Sequence, residues 1–174
     1  MFLCCSLILV LLMHAKCYCN DNFEFGKTLI IKEINLNIPS KSTIRLTQVP
    51  RGIILSVAQK ELFEDNSIAI SSKGKVLLAE IAKLLNSFDN ACTIEAHTEE
   101  FYVKGGTANS YDWEYSVIRA NNIANYLVKK YGVKSSRLFP IGFGYIMPFK
   151  DNVSDEIFYN NRIDFVIFDY TASR

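Results

Sequence analysis

Apolar and polar positions divide the chain into segments with different periods. A largely apolar run, interrupted only by Ser6, occupies Phe2 to Met13. From Phe23 to Pro39 the pattern alternates weakly, with Ile34, Leu36 and Ile38 separated by Asn35 and Asn37, which is the signature of a half-buried strand in an N-terminal extension. Thr43 to Val49 and Ile53 to Val57 are both β-rich, and Pro50-Arg51-Gly52 between them predicts a tight reversal and hence a β-hairpin. Lys60 to Ser72 is turn-rich, with Phe63 and Ile68 as the apolar residues that pin it.

Helical spacing takes over next. Val76, Leu77, Ile81, Leu84, Leu85 and Phe88 predict a first helix over Ser72 to Phe88, ended by Asp89-Asn90. Cys92 to Thr98 then alternates, so that Cys92, Ile94 and Ala96 share one face of a short strand and Thr93, Glu95 and His97 the other. A second helix is expected over Trp113 to Tyr131, capped by Ser110 or Asp112 and closed by Gly132. Its stripe is Val117, Ile118, Ile123, Tyr126, Leu127 and Val128. Leu138 to Phe143 and Ile163 to Phe168 read as strands, with one or two helical turns over Ser154 to Asn160. Strands and helices alternating after a hairpin imply an α+β fold, with two helices packed on one face of a sheet.

Charge and cysteine usage narrow the function classes. The 174 residues suit one domain with an ordinary core. Charged residues make up 21% and cancel to +1, with the basic ones scattered singly or in short pairs such as Lys129-Lys130, so no nucleic-acid surface is expected. Four of the five cysteines fall within residues 1–19, around the apolar run. The run is too short to span a bilayer, which takes about 20 apolar residues. It matches a secretory signal peptide over 1–19, with small residues that permit cleavage after Cys17 or Cys19. Lipidation at Cys17 or Cys19 would be the route to a membrane; otherwise these cysteines are small apolar residues. The extension is taken as 20–42 and the folded domain as 43–170.

Candidate chemistry gathers between Ile94 and Ala120, where a strand ends in His97-Thr98-Glu99 and a helix brings Arg119 back toward the acid. A carboxylate facing a guanidinium can hold a zwitterion, each group meeting its opposite charge. Arg119 serves equally well as a fold-stabilising bridge to Glu99 or Asp112. A catalytic reading would combine Cys92, His97 and Glu95 or Glu99, but strand alternation puts Cys92 and His97 on opposite faces, so no enzyme is expected. His14 and His97 do not make a metal cluster, and neither metal nor cofactor is expected.

From about Arg51 to Phe168 the chain resembles the OmpA-like C-terminal domain found in outer-membrane proteins, Pal-type lipoproteins and the flagellar stator protein MotB. The matching pieces are R-G-I-I-L-S-V at 51–57, L-F-E-D-N-S at 62–67, I-E-A-H-T-E at 94–99, W-E-Y-S-V-I-R-A at 113–120, R-L-F-P-I-G-F-G at 137–144 and N-N-R-I-D-F-V-I at 160–167. The W-E-x-S-x-x-R-A segment and the longer loop before it are most similar to the MotB type. The resemblance implies a βαβαβ sandwich with a mixed sheet and non-covalent peptidoglycan binding. It also implies a site where the loop after His97-Thr98-Glu99 meets the second helix, with Thr98, Glu99, Asp112, Arg119, Asn161 and Arg162 as its expected residues.

In that family an aspartate and a helix arginine hold the diaminopimelate of the stem peptide. Here the arginine matches Arg119, but Glu99 stands at the aspartate position, Asp112 at that of an asparagine, and Asn161 at that of an arginine, leaving only Arg162. One methylene moves the Glu99 carboxylate by about 1.5 Å, enough to disturb a preformed hydrogen bond. The resemblance implies a location in the periplasm or outer membrane of a Gram-negative envelope. The partners implied are peptidoglycan and other envelope or secretion-system proteins. The alternative is a scaffold subunit of a type IV-like secretion system with weakened wall binding and contacts through Phe23 to Pro39. The lack of a membrane-spanning run argues against a complete motor stator.

Overall fold

β1 (Ile44–Val49) and β2 (Gly52–Ala58) open the computed structural model, which describes residues 44–65, 67–98, 111–147 and 161–171. A four-residue helical turn, α1 (Gln59–Leu62), leads to α2 (Ser72–Asn86) and β3 (Asn90–His97). The long helix α3 (Tyr111–Tyr131) is followed by a 3-10 turn (Ser135–Arg137), β4 (Leu138–Gly144) and β5 (Arg162–Thr171). The expected signal segment, the extension, the position of Glu99 and the turns over Ser154 to Asn160 lie outside the described residues.

The strands form one mixed sheet in the order β1-β2-β5-β3-β4, parallel only between β3 and β4. The hairpin expected around Pro50-Arg51-Gly52 is present, with Val49 paired to Gly52 and Ile44 to Val57. Register decides which residues share a face. Leu55 pairs with Phe165 and Phe165 with Ile94, while Val57 pairs with Ile163 and Ile163 with Ala96, and all of these are fully buried. This apolar face carries the core, and burying a side chain such as Phe165 contributes about 1.5–3 kcal/mol. α3 lies over β3 and β4, and α2 packs against α1 and α3.

Local signals account for the helix ends. Ser71 caps α2 by accepting from the Gly74 N–H at 2.9 Å, an interaction worth about 1 kcal/mol. At the other end of α2 the buried Arg137 donates to the carbonyl oxygens of Leu85 (2.7 Å), Phe88 and Asn90 (2.9 Å). A cation there satisfies carbonyls that the helix leaves unpaired and complements its dipole. Gly132 ends α3 at φ 67°, a left-handed conformation that favours glycine. Asp112 falls within the first turn of α3, one residue inside its start, and is not its N-cap.

Two helical stripes differ from the sequence expectation. Val76 is 68% exposed, and Leu78 takes the core position in α2 with Ile81, Ala82 and Leu85. Ile118 is exposed too, because α3 meets the sheet through Ser116, Ala120, Ile123, Ala124 and Leu127. Small residues are needed there: a Cβ on Gly142 of β4 would lie 2.5 Å from the backbone nitrogen of Val117. Helix and strand therefore touch backbone to backbone, leaving no room for a bulky residue.

Candidate functional site

The ends of three strands converge where α1 begins. Ala58 at the end of β2 pairs with Arg162 at the start of β5, and Arg162 with His97 at the end of β3. Gln59 follows Ala58 directly and is buried. Its backbone N–H donates to the Asn161 carbonyl at 3.0 Å, and its side-chain Nε2 donates to the His97 carbonyl at 2.6 Å. Its Oε1 accepts from Arg119 Nη1 at 2.6 Å. One residue thus ties α3 to the end of β3 through its side-chain amide and to the residue before β5 through its backbone N–H.

Arg119 is further fixed by the loop that follows α1. Its Nε donates to the Ser67 carbonyl at 3.0 Å, and its guanidinium carbon lies 5.4 Å from the Phe63 ring centre and 5.7 Å from that of Tyr115. A guanidinium held by two carbonyl-type oxygens and two aromatic faces keeps one orientation, which is what bidentate carboxylate recognition requires. The first turn of α3 reaches this place because Ser116 docks on β4. Ser116 Oγ accepts from the Gly144 N–H at 3.1 Å and donates to the Trp113 carbonyl at 2.7 Å. Arg119 follows one turn later.

Just past β3, the Thr98 N–H donates to the Gly144 carbonyl at 2.9 Å, and the buried Thr98 Oγ1 has no hydrogen-bond partner among the described residues. Thr98, Arg119, Asn161 and Arg162 therefore come to one end of the sheet. Asp112 is described by its backbone alone, in the first turn of α3, and Glu99 lies outside the described residues.

On the second face of the sheet the alternating polar residues of β3, Thr93, Glu95 and His97, are buried. Glu95 pairs across the ladder with Asp164 and His97 with Arg162, all 9% exposed or less. Arg162 Nε donates to Asp164 Oδ2 at 2.9 Å, and His97 Nε2 stands 3.4 Å from the same oxygen, a close polar contact too long for a strong hydrogen bond. Burial pushes the Asp164 carboxyl up, but His97, Arg162 and Ser56 outweigh it and hold the carboxyl below its ordinary range. Thr93 Oγ1 donates to Glu95 Oε1 at 2.8 Å, and the His97 ring stacks on Phe143 at 5.1 Å.

Donor atoms of Glu95, His97 and Asp164 lie within 4.8 Å of one another, a grouping that a count of histidines does not reveal. The Arg162 guanidinium on Asp164 already supplies the positive charge, so the cluster fits an internal ion-pair network better than a cation site. Cys92 projects from the opposite face to His97, as alternation predicts, and burial pushes its thiol up to about 12. The Cys92 and His97 side chains do not combine into a nucleophile and base.

Gln59, Phe63, Ser67 and Tyr115 contact Arg119, and the sequence does not single them out as site residues. The only signal available was a polar residue closing an apolar strand, at Val57-Ala58-Gln59.

Residues 62–162 match the OmpA family. An uncharacterized protein of Bacillus subtilis, YtxE, is 28% identical over 142 residues, which cover 79% of this chain and 58% of that protein. The chain thus spans little more than half the length of that relative. Among solved structures, a MotB-like protein of Desulfovibrio vulgaris superposes with a TM-score of 0.74 at 19% identity, over 88% of this chain and 94% of that one. The cell wall anchor of the type VI secretion system of Pseudomonas aeruginosa superposes with a TM-score of 0.65 at 18% identity, over 80% and 96%. At these identities the two structures establish the shared fold.

Proposed function

Since the chain belongs to the OmpA family, we propose that it binds peptidoglycan non-covalently and tethers an envelope structure to the cell wall. The observation that carries this reading is Arg119, oriented by Gln59 and Ser67 and flanked by Phe63 and Tyr115 at the converging strand ends. In this reading the guanidinium takes a carboxylate of diaminopimelate in a two-bond fork, and the carboxylate of Glu99 takes the ammonium. Thr98 supplies a hydroxyl, Arg162 at the start of β5 and Asn161 just before it border the site, and Asp112 adds negative charge at the start of α3. That charge, together with asparagine at position 161, weakens attraction for an acidic peptide relative to a site with a second arginine.

The polypeptide is exported, and its site of action is the periplasm or the outer membrane. A wall anchor named among the structures of the same fold is consistent with this assignment. The reading is tested by cosedimentation of the mature protein with purified sacculi. Wild type should pellet with sacculi and Arg119→Ala should not, while both should melt cooperatively. Full retention of Arg119→Ala on sacculi would refute the site. Absence of wild-type binding, with co-purification of envelope proteins, would favour a scaffold role in a secretion apparatus.

A further inference from the structure

Beyond Arg119, α3 continues along the same loop. Asn122 Nδ2 donates to the Ile68 carbonyl at 2.9 Å, one residue on from the Ser67 carbonyl that accepts from Arg119. Past this contact a groove of about 500 Å³ opens between the 68–70 segment, α2 and the second half of α3. Three cations line it, Lys75 from α2 and Lys129 and Lys130 from α3, with Tyr126 and Asn125 between them. No acidic side chain lines it among the described residues. Arg119, Asn122, Tyr126 and Lys129 follow one another at helical spacing, so a single stripe of α3 leads from the guanidinium to the lysines.

We propose that this groove is a second subsite for the same wall polymer, taking the carboxylates of a cross-linked neighbouring stem peptide while Arg119 holds the first. The inference rests on the peptidoglycan reading above. Ten residues separate Arg119 from Lys129, about 15 Å along the helix axis. That is about the reach of four or five extended residues. A diaminopimelate inside a stem peptide of about that length cannot extend so far along its own chain, whereas a cross-linked partner can. Tyr126 offers an aromatic face and Asn125 an amide between the charges, while the lysines recognise carboxylate as mobile point charges that need no fixed geometry. Two linked subsites raise avidity through effective concentration, without either being strong alone.

The experiment measures binding of the mature protein to two soluble probes, a monomeric muropeptide containing diaminopimelate and its cross-linked dimer, across a range of salt concentrations. Wild type should bind the dimer more tightly than the monomer, with the steeper salt dependence on the dimer. The combined variant Lys75→Gln, Lys129→Gln, Lys130→Gln should bind the monomer as wild type does and lose about tenfold on the dimer, at two- to threefold for each exposed charge contact. The corresponding triple arginine variant should keep dimer binding. Equal affinity of wild type for both probes, unchanged dimer binding in the glutamine variant, or an equal loss on monomer and dimer would each overturn the second subsite while leaving Arg119 standing. Failure of wild type to bind either probe would remove the peptidoglycan reading and this inference with it.

Discussion

Replacing Gln59 by methionine keeps the length and volume of the side chain and removes both of its polar contacts. The backbone N–H of residue 59 still meets the Asn161 carbonyl. The His97 carbonyl, however, loses its donor at 2.6 Å in a buried position, and leaving such an acceptor unsatisfied costs about 1–3 kcal/mol. The second contact, from Arg119 Nη1 to Gln59 Oε1 at 2.6 Å, is charge-assisted but only partly buried, so water replaces much of it and the net loss is about 0.5–1 kcal/mol. Together these amount to about 1.5–4 kcal/mol, which for a domain of this size lowers the melting temperature by roughly 3–16 °C. The same substitution removes one of the contacts that orient the guanidinium, so sacculus binding should fall about two- to fivefold, the worth of a contact of about 0.5–1 kcal/mol, and less than in Arg119→Ala. Paired calorimetry and cosedimentation of Gln59→Met against wild type read both effects. A melting temperature within about 2 °C of wild type, together with unchanged binding, would refute the claim that Gln59 orients Arg119.

Other substitutions probe the scaffold. Gly142→Ala places a methyl group 2.5 Å from the Val117 nitrogen and 2.6 Å from Ser116 Oγ, so urea denaturation should show a loss of about 1–3 kcal/mol; unchanged stability would mean that α3 stands further from β4. Leu78→Ala should cost about 2–5 kcal/mol and Val76→Ala less than about 0.5, since the first side chain is fully buried and the second 68% exposed. Asp164 has a depressed carboxyl in the folded state, so its contribution is complete above the unfolded value of about 3.9 and disappears as pH falls through the lower folded value. Asp164→Asn should therefore be less stable near neutrality and show a flatter stability profile below about pH 4; an acid profile as steep as that of wild type would contradict the assignment.

Much of the scaffold was legible because single elements announce themselves locally. Pro50-Arg51-Gly52 between two β-rich runs specifies the first hairpin, and the alternation from Cys92 to His97 gives the correct faces of β3. Helix phase was harder to read. Val76, Leu77 and Leu78 are consecutive apolar residues, so period alone does not say which of them faces inward, and α2 turns Leu78 to the core. In α3 the same method followed bulk, whereas the sheet contact is made by Ser116 and Ala120 because the approach to Gly142 admits only small side chains.

The site was less legible still. Arg119, Thr98, Asn161 and Arg162 stood out through the order of motifs that resemble the OmpA-like domain. Gln59 makes its two side-chain bonds to residues 38 and 60 positions away, and no local pattern carries that information. Thr93, Glu95 and His97 read in sequence as the polar face of a strand, and only the antiparallel pairing of β3 with β5 shows that Glu95, His97 and Asp164 are buried against one another.

The central claim is that the Arg119 guanidinium receives a wall-peptide carboxylate in a fixed orientation. Calorimetric titration of the mature protein with a soluble diaminopimelate-containing muropeptide tests it most directly, with Arg119→Lys and Arg119→Ala as comparators. Wild type should bind saturably at one site, Arg119→Lys should lose about tenfold because an ammonium keeps the charge but not the two-bond fork, and Arg119→Ala should lose binding altogether. Equal affinity of all three proteins for the muropeptide would contradict the account.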